Sequence, residues 1–383
     1  MNLASKDISD DFPNSDKIYL NNASVSLMPT QSIEAMKEFL ISYNSIGPDS
    51  KDSEPFVTEK LRNVRKLISE IICCQPDEVI LTQSTTNGIN IVANGLSFDA
   101  NSNIIIRGMT HEHHSNFYPW MRLKEKVSIK NLPIDKNGFF KLDDLKSSID
   151  DSTKLVAISH ALYNTGSILP VEEIGKLLQE QVPFFIDSAQ TVGCIDGIDV
   201  SKIHCNFMSF NGSKWLCGPM GTGLFYCNRN SSKLLEPTTI GGESAIIYDD
   251  TNITFKDLPD KFQTGFRNYV GMVGLESSIK YLQNFGMKNI HKKNQYLANL
   301  FREELSKIPN IVLYGPDDPN HRTSIVSFNI DGFESQEIVD KLEKQNIVLA
   351  VREIIEKKIV RVSPHFFNTE SEMHQVIDAI KKL

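Results

Sequence analysis

Apolar residues fall in short runs separated by longer amphipathic stretches through most of the chain. The runs at 79–82, 103–107, 155–159, 184–186, 206–210 and 223–226 are rich in Val, Ile, Leu and Phe and have strand length. Between them, 86–96 and 171–180 show helical spacing, with Val171, Ile174, Leu177 and Leu178 on one face of the second. Strands separated by helices of this length predict βαβ units and a mostly parallel sheet. Beyond about residue 255 the pattern changes to helical stretches at 270–285 and 290–307. Short strands at 311–314, 324–329, 348–351 and 358–362 follow, with helices at 335–344 and 370–382. The division read from this pattern is an N-terminal arm over 1–17, a large α/β domain over 18–255 and a small α+β domain over 256–383. The arm is expected to return to the small domain. The stretch 45–55, with Gly47-Pro48-Asp49-Ser50, reads as a mobile loop.

Composition narrows the class. A chain of 383 residues, 40% hydrophobic and 23% charged, fits a globular protein with a large core. A net charge of −8 and scattered basic residues give no field for nucleic acid. No apolar stretch approaches the ~20 residues of a membrane helix. The N-terminus turns acidic without an apolar signal core, so a cytoplasmic protein is expected. The six cysteines form no C-x-x-C, which speaks against a zinc ribbon or a thioredoxin-type pair.

Candidate chemistry concentrates in four stretches. In MSFNGSKWLCGPMGTG, Lys214 follows a strand-like run and precedes a glycine-rich turn. A lysine among apolar neighbours loses hydration, which favours the neutral, nucleophilic form that attacks an aldehyde; a plain surface lysine is the alternative. In FFIDSAQTVG, Asp187 ends an apolar strand, at the edge of a parallel sheet where ligands bind, and Gln190 is in reach of the same ligand. A carboxylate there holds the ring nitrogen of pyridoxal phosphate protonated, or it caps the next helix. In LTQSTTNGIN, Ser84-Thr85-Thr86 lie between strand and helix, where free N–H groups and the helix dipole favour an anion. No lysine follows in Walker spacing, and an ordinary N-cap is the alternative. In MTHEHHSNFYPW, His111 and His113 alternate as strand neighbours do, so they would share a face and could bind a metal with Glu112 or a distant ligand. No second cluster completes a four-ligand site, so no metal is expected. The other role open to one imidazole is stacking on a cofactor ring while serving as an acid or base.

Together with SHALYNTGSILPVEEIG and RVSPHFFNTESE, these stretches span residues 80–370. In this order they resemble the fold-type I pyridoxal-phosphate enzymes, in particular the class-V aminotransferase and cysteine desulfurase-like family. The resemblance implies an α/β fold with a mainly parallel, seven-stranded-type sheet in a large domain and a small α+β C-terminal domain. It also implies pyridoxal 5′-phosphate as cofactor, a homodimer, and a site between the domains. Lys214 would be the Schiff-base lysine, Asp187 the partner of the pyridine nitrogen, His113 the stacked imidazole and Gln190 the contact to the phenolic oxygen. Thr85, Thr86, Asn211 and Ser213 would hold the phosphate, although desulfurases usually have histidine where Ser213 stands. Arg361 would pair with the α-carboxylate of an amino-acid substrate, with Arg352 and Asn164 beside it. A surface ion pair of Arg361 with Glu353 or Glu356 is the alternative.

Two departures from the family pattern bear on activity. Phe266 stands where a threonine would reach the neighbouring subunit's phosphate, with Thr264 as a substitute. Desulfurases carry a sulfur-accepting cysteine between AVR and the carboxylate arginine. Here the eight residues between Arg352 and Arg361 include no cysteine, as in isopenicillin-N-epimerase-like proteins and carbon–sulfur lyases. The expected activity is a lyase or aminotransferase on a small amino acid, with sulfur-containing ones included. Desulfurase or selenocysteine lyase-like activity without the loop cysteine, an epimerase, and a non-catalytic cofactor-binding protein stay open.

Overall fold

Seven strands form the central sheet, in the spatial order Val79–Thr82, Gly223–Cys227, Phe207–Asn211, Phe184–Asp187, Thr153–Ser159, Asn103–Ile106 and Ser128–Asn131. The computed structural model describes residues 8–13, 16–109, 111–179, 181–249, 252–354 and 357–383. All sheet strands run parallel except Gly223–Cys227, which is antiparallel to both neighbours. Phe184, Phe185 and Ile186 are completely buried, as a central strand covered on both faces requires. The edge strand Ser128–Asn131 has no buried residue, so no apolar run announces it.

The helices Thr85–Gly95 and Val171–Leu178 stand where spacing predicts them; Glu180 lies outside the described residues. Thr30–Ser45 and Ser53–Ile72 add two helices that pack on Tyr269–Gln283. In the second of them Val57, Leu61, Val64, Ile68 and Ile72 form one buried stripe. The stretch read as a loop at 45–55 is the connection between these helices, residues 46–52.

A second, antiparallel sheet has the order Ile311–Tyr314, Val326–Ile330, Lys357–Val362, Ala350–Ile354. Helices Met287–Ser306, Ser335–Glu343 and Glu370–Ile380 bury Leu297, Phe301, Ile338 and Val376 against its Val326, Phe328 and Val360. The strand expected at 348–351 is two strands, Ile347–Val348 and Ala350–Ile354. Ile18–Tyr19 pairs in parallel with Ile347–Val348, and Leu20 joins the second core. Met272, Leu275 and Ile279 of Tyr269–Gln283 belong to the first core. The expected boundary at 255/256 therefore falls inside the packing of the first core. Among the described residues no helix is long and apolar enough to cross a membrane.

Candidate active site

A cavity of about 130 Å³ opens at the C-terminal ends of the parallel strands Val79–Thr82, Thr153–Ser159, Phe184–Asp187 and Phe207–Asn211. Lys214, Asp187, His113, Gln190, Thr85, Thr86 and Asn211 line it, with Ser84, Ser159 and Tyr163. Ser213, Asn164, Arg352 and Arg361 do not line it; Arg361 is joined to it through the Tyr163 carbonyl. The C-terminal edge of the sheet thus gathers most of the predicted cofactor residues, Thr85 and Thr86 after one strand, Asp187 and Gln190 after a second, Asn211 and Lys214 after a third.

Lys214 sits on a pinned turn three residues beyond the strand Phe207–Asn211. Trp215 is fully buried; its Nε1–H donates to Gln190 Oε1 at 3.0 Å, and its carbonyl accepts from His365 Nε2–H at 3.1 Å. Gly212 N–H donates to the Thr222 carbonyl at 2.7 Å, and Gly218 N–H to the Gly212 carbonyl at 2.8 Å, which closes the turn. Two glycines make the approach. Gly193, at φ +91°, lies so close to Trp215 that a Cβ would sit 2.5 Å from its carbonyl carbon. A Cβ on Gly223 would sit 2.1 Å from the Ser84 nitrogen, so only glycine lets the helix start at Thr85 dock on that strand.

Burial sets the charges. It pulls the Lys214 ammonium down to about 8 against the opposing pull of the Asp187 carboxylate. It pushes Asp187 up to about 6, while a hydrogen bond from Ala189 N–H at 2.9 Å and the Lys214 cation act the other way. The buried Glu112 carboxylate raises Asp187 further. Glu112 pairs with Arg107 at 3.4 Å and accepts from the Ser159 hydroxyl, a network that the sequence pattern gave no sign of. His113 is exposed at the cavity mouth and edges against Tyr163, ring centres 5.0 Å apart. The protein packed beside its ring and the nearby Lys214 cation hold it below the ordinary imidazole value, which favours the neutral form. His111 does not share its face. It is buried, faces Asn164 across 3.4 Å, and leaves its Nε2 without a partner. Among the described residues no three His, Cys, Asp or Glu side chains come together to hold a metal.

The helix start at Thr85 fits an anion. Ser84 caps the helix Thr85–Gly95 by accepting from Asn87 N–H at 3.1 Å, and the Thr86 hydroxyl donates to Ser115 at 2.9 Å. Asn211 Nδ2 donates to Ser213 Oγ at 2.8 Å while its Oδ1 is buried without a partner. Turning that amide over lets Ser213 donate to Oδ1 and presents the NH₂ group to the cavity, which suits a phosphate oxygen. A hollow of about 500 Å³ shares Ser84 and Thr86 and is walled by Thr264, Arg267 and Phe266, the last 76% exposed.

The side of the site beyond Tyr163 is cationic. Arg361 is 1% exposed and lies on the strand Lys357–Val362, so it is no surface residue. It donates to the Tyr163 carbonyl at 2.7 Å and to Ser24 Oγ at 2.6 Å, and Arg352 donates to the same Ser24 oxygen. Among the described residues neither guanidinium has a carboxylate partner; Glu356 lies outside them. Asn164 is committed to the Glu353 carbonyl at 2.9 Å, which braces this hairpin from behind. No local sequence signal marks Ser24 or Asn21 for this site, because their arginine partners are more than 300 residues away.

No cysteine lines the cavity. Cys217, three residues past Lys214, is fully buried against Ser26, and burial pushes its thiol up to about 12.

A family model described as aminotransferase class-V matches residues 18–376. A probable cysteine desulfurase of Methanothermobacter thermautotrophicus is 30% identical over 96% of this chain and 95% of its own. The solved apo structure of a cysteine desulfurase from Thermococcus onnurineus superposes with a TM-score of 0.91 at 28% identity, covering 99% of this chain and 97% of that one. A cystine C–S lyase, solved with its product cysteine persulfide, superposes at 0.88 with 23% identity over 96% of this chain and 98% of that one, a likeness of fold.

Proposed function

Because this chain belongs to the class-V aminotransferase family, we propose that it is a pyridoxal-phosphate-dependent lyase that breaks the Cβ–S bond of cysteine or cystine. When bound, the cofactor supplies an aldehyde for the substrate's amine and a ring that takes up the electron pair left on Cα. Ser84, Thr85, Thr86 and Asn211 hold its phosphate at the helix start, and the neutral imidazole of His113 offers a ring face without adding charge. Asp187, ionised above about pH 6, holds a proton on the ring nitrogen. Lys214, with an amine that loses its proton near pH 8, takes the α-proton and hands it on to the departing sulfur. Arg352 and Arg361 hold the carboxylate, which fixes Cα above the lysine.

One observation favours a lyase over a desulfurase. The strands Ala350–Ile354 and Lys357–Val362 form a hairpin, register Ile354 to Lys357, whose eight residues between the two arginines include no cysteine. With no thiol to receive it, the sulfur leaves as hydrogen sulfide from cysteine, or as cysteine persulfide from cystine. The remaining three-carbon fragment takes up water and becomes pyruvate and ammonia. The cysteine desulfurases among the relatives favour a second reading, in which the sulfur goes to a thiol and alanine is left. The products decide between them. Purified enzyme loaded with cofactor and given L-cysteine or L-cystine should yield pyruvate and ammonia in equal amounts, with sulfide or persulfide. Alanine would overturn the lyase, and a keto acid without sulfur release would point to transamination. We place the enzyme in the cytoplasm as a homodimer; exposed Phe266 and Met220 beside the cavities suit a second copy.

A further inference from the structure

Segment 21–26 crosses from one wall of the site to the other. At one end Ala23 N–H donates to Ser363 Oγ at 3.0 Å and Asn22 Nδ2 to the Ser363 carbonyl at 2.8 Å, two residues from Arg361. At the other end Ser26 N–H donates to the Ser213 carbonyl at 2.8 Å, next to Lys214. Between them Ser24 Oγ donates to Asn21 Oδ1 at 2.7 Å and accepts from the Nη2 groups of both Arg361 and Arg352. Asn21 Oδ1 also accepts from Arg361 Nη2, at 3.2 Å. A hydroxyl that accepts twice and donates once has a fixed orientation. Two guanidinium groups therefore meet at one neutral oxygen. Arg361 is buried with its Nε unpartnered, and no described carboxylate balances either charge. A buried guanidinium beside a half-buried one, with no counter-charge, is costly unless an anion completes the set.

We propose that Ser24 is the positioning residue of the carboxylate subsite: its oxygen holds two guanidinium groups on the point that one substrate carboxylate oxygen takes over. It thereby selects substrates by their α-carboxylate. The inference rests on the reading of Arg352 and Arg361 given above. A serine suits this task where an acid does not, because aspartate would neutralise the arginines and compete with the substrate.

The test uses the cofactor-loaded enzyme and two ligands without an amine, 3-(methylthio)propionate and its neutral amide, bound calorimetrically. The wild type should prefer the carboxylate. Ser24→Ala should weaken the carboxylate roughly tenfold and raise KM for cysteine alike, with kcat and the cofactor's absorption little changed. Ser24→Thr, which keeps the hydroxyl, should restore binding. Ser24→Asp should abolish carboxylate binding and leave the amide as it was. Carboxylate binding by Ser24→Ala as tight as wild type, or tighter, would overturn the role of Ser24 alone. A wild type that binds acid and amide equally would overturn the arginine reading, and this inference with it.

Discussion

The two walls of the site are built on opposite principles. The lysine wall comes from residues 84–214, and each side chain stands at or just past the end of a sheet strand, so backbone ladders set its geometry. Its charges are partly balanced from within, Lys214 against Asp187. The arginine wall is assembled by side chains whose partners lie 328 to 340 residues apart. Its two cations have no internal counter-charge among the described residues. On the proposed roles, the chemistry rests on the ends of the sheet strands, and recognition of substrate on the contacts that Arg361 and Arg352 make with the distant segments at Ser24 and Tyr163. Damage to the first should stop the reaction; damage to the second should loosen the substrate and leave the cofactor in place.

The sharpest break in that contrast is Lys214→Ala. Turnover should fall by about 10⁴-fold, the upper range for a positioned proton carrier, with cofactor still bound non-covalently. In the wild type, borohydride should fix the cofactor on Lys214, and a label mapped by mass spectrometry to any other lysine would undo the assignment. Arg361→Ala comes next, with a loss of about 2–5 kcal/mol in kcat/KM for cysteine and an unchanged cofactor spectrum. If its spectrum or cofactor affinity changes instead, the walls are not separable. Asp187→Asn should slow turnover on the order of a hundredfold, since a neutral amide cannot hold the ring proton.

The same carboxylate supplies a smaller, opposite effect on folding. Its folded value lies near 6, above the ordinary carboxylate value of 3.8, so the fold favours the protonated form. That contribution is present below pH 3.8 and lost as pH rises through 6. Cofactor-free Asp187→Asn should therefore melt higher than the wild type at pH 7, and the gap should close toward pH 4. His160 and His365 act with the reverse sign. Burial depresses them to about 4 and about 3 from 6.5, so their contribution is full above pH 6.5 and fades as pH falls. The smallest effect should be that of Cys217→Ser, with steady-state rates near wild type. A persulfide trapped on Cys217 during turnover would revive the desulfurase reading.

The contrast between the walls also governs what the sequence reveals. Lys214, Asp187 and the Ser84-Thr85-Thr86 helix start are legible because their placement depends on local apolar runs and the turns that end them. His111 and His113 show the limit of that logic. Their alternation suggests one shared face, but the chain turns into a short 3-10 helix at His114–Asn116, which leaves His111 inside and His113 over the cavity. Ser24 and Asn21 show no pattern at all, since their contacts with Arg352 and Arg361 form only once distant segments meet, and the Arg107–Glu112 pair, though five residues apart, fits no regular spacing. His365 is an intermediate case. The SPHF stretch was visible, but its task, holding the Trp215 carbonyl and accepting from Phe366 N–H at 2.9 Å, was not.

The parallel pairing of Ile18–Tyr19 with Ile347–Val348 has a consequence for synthesis of the chain. A ribosome releases the N-terminal strand hundreds of residues before its partner exists, so during translation the strand waits with its hydrogen-bonding groups in water. Everything the lysine turn needs from the sheet has emerged by residue 227, yet Trp215 and Ser24 acquire His365 and Arg361 only in the last tens of residues. On the proposed roles, a nascent chain therefore holds the strands that carry Lys214 before it holds the strand that carries Arg361, and selectivity for substrate comes after the cofactor pocket.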